Sequence, residues 1–197
     1  MMATVSLEEE IRRYLEGQGI EFDDRSRSFV QLDFGFGDLF QNRYFVFDAK
    51  EKRQPYNPRN WPTAIPEPHL FILDDLAARK ILLHAPNAGL VVRDTPNQRY
   101  VFFSVVDLFL MPKQRVNRPI HRREDASKGK WLVDLRNGQA SPHLPGVFGA
   151  IQAYLDQREA IFHRILACYG TYQDEAIGSG GTVRRPDHWE QDVGTTR

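Results

Sequence analysis

The stretch Arg43-Tyr-Phe-Val-Phe-Asp48-Ala-Lys50 constrains this chain more than any other. Its aromatic and β-branched residues read as a strand, and strand alternation puts Tyr44, Val46, Asp48 and Lys50 on one face and Phe45, Phe47 and Ala49 on the other. An otherwise apolar face therefore ends in two opposite charges. A carboxylate on a central strand is expensive unless it is paired or bound to a metal, so whatever fold the chain adopts must give Asp48 a partner.

The elements around this strand follow from local signals. Ser6 with Glu9 three positions later is a capping box, and Leu7, Ile11, Tyr14 and Leu15 recur at helical spacing, predicting a helix over 6–17 that Gly17 and Gly19 stop. Ser28–Phe40 reads as extended and is joined to the key strand through a polar Gln41-Asn42 turn, so the two should pair antiparallel. Five prolines make Gln54–Pro68 a loop. Leu70–Leu83 reads as a buried helix, and Gly89–Arg93 and Arg99–Leu110 as strands. Lys113–Lys130 is a polar, basic connection, Trp131–Leu135 a short strand, and Pro145–Tyr169 a long amphipathic helix. The order of helix, three strands, helix and two strands implies an α/β or α+β fold with a central mixed β-sheet flanked by helices. One domain over 1–177 is expected, with a C-terminal tail over 178–197 rich in Gly, Ser, Thr and Arg.

Composition limits the function classes. A chain of 197 residues can bury a full core without cross-links, and its single cysteine, Cys168, cannot form an internal bridge. No apolar leader follows Met1, and the longest apolar runs fall short of the roughly 20 residues of a membrane span, so a soluble, cytoplasmic protein is expected. Basic and acidic residues balance at 26 each, but 20 of the basic ones are Arg, the residue whose planar fork grips phosphate. The six histidines lack ligand spacing for zinc, and no phosphate-loop Gly-Lys-Ser/Thr is present.

A carboxylate two residues from an ammonium at a strand end suits a divalent cation beside a polarised water. Asp38, ten residues before Asp48, is placed to converge on the same point, with Asp33 the competing upstream acid. Two carboxylates and the backbone carbonyl of Ala49 form an oxygen-rich set fit for Mg²⁺, for which Mn²⁺ substitutes. The chemistry this allows is metal-assisted phosphodiester hydrolysis, with Lys50 positioning the attacking water and offsetting charge on phosphorus.

Asp38 followed by Asp48-Ala49-Lys50, on an apolar strand between a leading and a following helix, resembles the PD-(D/E)XK nuclease superfamily over roughly residues 6–106. The resemblance implies a restriction endonuclease-like core and a divalent-metal-dependent nuclease acting on DNA, with Asp38 and Asp48 as metal ligands and Lys50 as the catalytic lysine. Members often add a Glu from the first helix, which here points to Glu10. The first Asp follows Gly37 rather than Pro, and the second acid is Asp rather than Glu.

Two further stretches suit a nucleic-acid partner. Lys52, Arg53, Tyr56, Arg59 and Trp61 combine cations for phosphate with aromatics for stacking. Arg115, Arg118, Arg122 and Arg123 occur with Lys113 and no acid before Glu124. A homodimer would suit cleavage of both strands of a duplex. The competing functional readings are a catalytically silent module of the same fold that binds nucleic acid or protein, and an unrelated α/β protein whose hairpin acids face solvent.

Overall fold

The computed structural model describes the backbone of residues 5–37, 43–120 and 123–169, and their side chains except at 120–126 and 162–169. In chain order the elements are α1 (Leu7–Gly17), β1 (Phe22–Asp24), β2 (Phe34–Phe36), β3 (Phe45–Lys52), β4 (Leu70–Asp74), α2 (Asp75–Leu83), β5 (Ala88–Asp94), β6 (Arg99–Ser104), α3 (Val105–Leu110), β7 (Gln114–Ile120), β8 (Arg123–Asp134), β9 (Gln139–Ser141) and α4 (Leu144–Tyr169). The chain divides into two compact units, Met1–Leu155 and Asp156–Arg197, with the boundary inside α4. The expected tail, 178–197, lies outside the described residues.

The first unit is a mixed α/β structure. Its main sheet runs β1-β2-β3-β5-β6-β9, antiparallel throughout except for the parallel central pair β3 and β5. A parallel pair needs a crossover, and α2 supplies it. One face of this sheet is aromatic: Phe34, Phe36, Phe45, Phe47 and Phe102 pack on one another and on Phe148 and Tyr154 from the first half of α4. Tyr14 of α1 stacks on Phe148, and Leu7, Ile11 and Leu15 are fully buried. The opposite face, with Val46, Leu90, Val92, Val101 and Phe103, is covered by Ala77, Ala78 and Ile81 of α2 and by Val105 and Leu108 of α3. Phe71 and Leu73 of β4 and Trp131 and Val133 of β8 join that core from a second, antiparallel sheet ordered β4-β8-β7.

α1 starts as its sequence dictates, with Ser6 Oγ accepting the Glu9 amide (3.2 Å) and three acidic residues in the first turn opposing the helix dipole. Other elements depart from expectation. Residues 70–74 are strand rather than helix, because Phe71 and Leu73 are buried in the core while the backbone pairs with β8. The expected strand over 99–110 stops at Ser104, where Ser104 and Asp107 cap each other in a reciprocal box and begin α3. The polar connection 113–130 is a hairpin, β7 and β8, whose partners are backbone rather than an apolar stripe. Of the extended stretch expected over 28–40, the described part, 28–37, is strand only over Phe34–Phe36; 38–40 and the expected Gln41-Asn42 turn lie outside the described residues. No helix among the described residues is long and apolar enough to cross a membrane.

Candidate functional site

The register of the β2–β3 ladder builds the site. Phe34 pairs with Phe47, so one step further along the ladder Asp33 lies opposite Asp48. The ladder ends there, because the Ala49 amide donates to Asp33 Oδ2 (2.8 Å) rather than to a strand carbonyl. Two glycines let the strands meet. A Cβ at Gly35 would lie 2.6 Å from the Tyr44 hydroxyl, and Gly37 turns the chain at φ +107°, where a Cβ would strike the Arg43 carbonyl.

Lys50 points back over this junction. Its Nζ lies 2.7 Å from Asp48 Oδ2, 3.2 Å from Asp33 Oδ2 and 3.2 Å from the Ala49 carbonyl oxygen. The three chain oxygens thus enclose a single cation. Asp48 is 0% exposed and Lys50 37%, so the cluster has a closed floor and an open side. Among the described residues neither Asp48 oxygen makes an angularly good hydrogen bond; the Lys50 ammonium lies close to Oδ2 but off-axis. Burial pushes the Asp48 carboxyl up to about 6, with Lys50 pulling it back and Asp33 adding to the rise. Burial also works against the Lys50 ammonium, but the two carboxylates outweigh it and hold that pKa above the ordinary lysine value.

The donor set fits a hard dication. Two carboxylates and a carbonyl are the ligands Mg²⁺ accepts, at 2.0–2.1 Å with water filling the other positions. Nζ now sits at nitrogen-to-oxygen distances, so a metal requires the ammonium to withdraw through the open side. Among the described residues, no group of three or more His, Cys, Asp or Glu side chains gathers, so such a metal would rest on Asp33, Asp48 and the Ala49 carbonyl.

Asp38, the preferred upstream acid in the sequence, lies outside the described residues; the acid that the structure brings to Asp48 and Lys50 is Asp33. Glu10 is not brought there. It accepts from Arg93 (2.8 Å) and from the Tyr100 hydroxyl (2.6 Å), and Arg93 also pairs with Glu51, which alternation places on the face opposite Lys50. α1 therefore uses Glu10 to fasten itself to β5 and β6.

Lys52 does not face solvent as a phosphate contact would. Its side chain is 0% exposed, and its Nζ pairs with Glu67 Oε1 (2.9 Å), donates to the Glu67 carbonyl (2.8 Å) and lies 5.2 Å from the centre of the Tyr56 ring. Burial raises the Tyr56 phenol pKa. Tyr56 meets Trp61 edge-on at 6.5 Å, and the Arg118 guanidinium lies 4.5 Å over the Trp61 ring. Arg53, Arg59 and Arg115 are exposed, with Arg53 paired to Glu51 (2.7 Å) and Arg115 to Asp75 (3.0 Å). Arg122 and the Arg123 side chain lie outside the described residues.

No protein-family model, curated protein or solved structure matches this chain. What the cluster can do therefore rests on its own chemistry. It can hold one cation beside a buried, under-satisfied carboxylate, next to an ammonium with access to solvent.

Proposed function

We propose that the protein is a divalent-metal-dependent nuclease that hydrolyses DNA phosphodiester bonds, with Asp33, Asp48 and the Ala49 carbonyl holding Mg²⁺ or Mn²⁺ and Lys50 as the catalytic lysine. The observation that carries this reading is the triangle of oxygens around Lys50 Nζ, one of them on a fully buried carboxylate that lacks a good hydrogen bond. A purely structural ion pair gains nothing from leaving Asp48 in that state. The order α1-β1-β2-β3-β4-α2-β5, in which β4 belongs to the second sheet and β3 is parallel to β5, is in keeping with a restriction endonuclease-like core, and Asp33 then takes the position expected of the upstream acid.

When bound, the metal lowers the pKa of a water and offsets charge on the departing oxygen. The remaining tasks fall to this chain. Asp33 and Asp48 supply negative charge from two adjacent strands, and the strand register fixes their separation. Lys50 is an ammonium between the two carboxylates; with a metal in that place it would withdraw toward the open side and donate to the attacking water, orienting it and compensating charge at phosphorus. The water oxygen bonds to phosphorus as the bond to the 3′ oxygen breaks, the water's proton leaving to solvent and the 3′ oxygen taking one up from it.

Cleavage of plasmid and single-stranded DNA with Mg²⁺ or Mn²⁺ tests this, with Asp33→Ala, Asp48→Ala and Lys50→Ala as controls. Activity in the native protein and a loss of about 10²-fold or more in each variant is the expected result. Binding without cleavage would instead assign the protein to the silent binding module.

A further inference from the structure

We propose that Phe29, at the tip of the loop between β1 and β2, stacks on an unpaired base beside the cleaved phosphate, so that the preferred substrate is DNA with unpaired or unstacked nucleotides at the site; this rests on the nuclease reading.

Phe29 is 93% exposed, the most exposed large apolar side chain among the described residues, and its neighbour Val30 is 82% exposed. A ring so placed gains nothing from the fold itself. The loop that carries it is nonetheless closely built. The Arg25 amide donates to the Asp33 carbonyl (2.8 Å) and closes the loop; the Ser28 amide donates to the Arg25 carbonyl (2.7 Å), and the Gln31 amide donates to Ser28 Oγ (3.2 Å). Asp24 Oδ1 accepts from the Ser26 amide (3.0 Å) and hydroxyl (2.7 Å). From outside, Lys80 Nζ of α2 donates to the Gln31 carbonyl (2.9 Å), and Leu32 is buried in the core.

The foot of this loop is Asp33, in contact with Lys50. Four residues of chain span at most about 14 Å, or about four nucleotides at 3.4 Å each along one strand, so the ring stands beside the site. On the other arm of the loop, between Arg25 and Phe29, Arg27 is exposed and makes no ion pair or hydrogen bond among the described residues, which leaves its guanidinium for a phosphate. A cation two residues from a bare ring matches the backbone and base of a single strand. A paired, stacked base offers no face to such a ring unless the step is opened, which sets the preference for unpaired DNA.

The test uses the full chain in Ca²⁺ without Mg²⁺, with a 2-aminopurine-labelled oligonucleotide presented single-stranded and in a blunt duplex. Phe29→Ala should weaken single-strand binding roughly 5- to 150-fold, the measured range for one base–aromatic stack, and should abolish the fluorescence change from stacking. Phe29→Trp should preserve both, and Leu83→Ala, which removes an apolar side chain 83% exposed at the end of α2, should leave both as in the native protein. Because Phe29 lies outside the core, unchanged melting of the alanine variant excludes misfolding as the cause. Equal single-strand affinity of Phe29→Ala and native protein, no DNA binding at all, or the same loss on the blunt duplex would each overturn the proposal. Phe29-dependent binding without cleavage in Mg²⁺ or Mn²⁺ would uphold the stacking role and remove the nuclease reading.

Discussion

Lys50 and Lys52 lie two residues apart on the same face of β3, and each meets acidic oxygen, yet their surroundings are opposite. Lys52 is sealed inside, its ammonium shared between a carboxylate, a carbonyl and an aromatic face. Lys50 is more than a third exposed, and the carboxylate it faces is the one left without a good hydrogen bond. The first arrangement gives the buried ammonium two oxygen partners and an aromatic face and so fixes the loop 53–69 onto the strand. The second leaves charge unbalanced beside an opening, as a site that must accept a further cation and a phosphate would need.

Removing the sealed lysine should have the largest effect, and on stability alone. Lys52→Ala empties a fully buried side-chain site and takes the cation from Glu67, which is 20% exposed and still accepts the Tyr56 amide, so the cost should reach at most the roughly 3–5 kcal/mol of a broken buried pair. At roughly 2–4 °C per kcal/mol for a protein of this size, melting should fall by up to about 20 °C. A fall of under about 2 °C would mean that Lys52 is no better bound than a surface lysine.

Lys50→Ala should do the reverse. Its expected cost is about 10²–10³-fold in cleavage rate, equivalent to roughly 2.7–4 kcal/mol of barrier, with melting near that of the native protein, because a protonated Asp48 can remain where it is. If melting drops as far as in Lys52→Ala, the two lysines are equivalent and the contrast fails.

Asp48 makes the open site pH-sensitive. Its folded-state pKa is raised from 3.8 to about 6, mainly by burial, so the folded protein holds that proton more tightly than the unfolded chain. The acid therefore adds nothing unfavourable below pH 3.8, becomes progressively destabilising as pH rises toward 6, and is fully so above it. The difference of about 2.2 units corresponds to at most about 3 kcal/mol. In EDTA, Asp48→Asn should be more stable than the native chain at pH 7, with the gap closing between pH 6 and 4, as thermal melting across that range would show. Mn²⁺ at about 100 times its Kd should return about 2.7 kcal/mol to the native protein and little to the variant. A gap that stays constant with pH would remove Asp48 as its source.

Much of this was legible in the sequence, for identifiable reasons. Alternation along 43–50 and the helical spacing of Leu7, Ile11 and Leu15 gave β3 and α1 directly, since both depend on local periodicity and a cap. Asp48 and Lys50 followed from the same alternation. The upstream acid is harder to read, because placing Asp33 depends on the β2–β3 register, a non-local quantity: the pairing of Phe34 with Phe47 puts Asp33 opposite Asp48, while Asp38 lies outside the described residues. Lys52 shows the limit of reading charge as surface: its partner, Glu67, is 15 residues away across a proline-rich loop, and no short-range pattern links them. The 70–83 helix failed at its first half for a related cause, since β4 exists through its pairing with β8, some 60 residues later. At Ser104 the signal was present, an Ser-x-x-Asp box, but it was masked by the apolar run around it.

The smallest effect lies at the outer end of the chain of contacts that Lys52 begins. Lys52 supports Tyr56, Tyr56 meets Trp61, and Arg118 from β7 rests on the Trp61 ring. If that stack only braces the loop, Arg118→Ala should cost about 0.5–1 kcal/mol of stability, the worth of an exposed cation–π contact, and should leave the salt dependence of DNA binding alone. If the guanidinium also meets a phosphate, the slope of log affinity against log salt should fall by about one, uniformly across sequences. Titrations at several salt concentrations, read beside melting curves of the same variant, distinguish these outcomes. In the second case the buried lysine acts at a distance, holding in place an aromatic platform that presents a cation to the strand on which Lys50 acts.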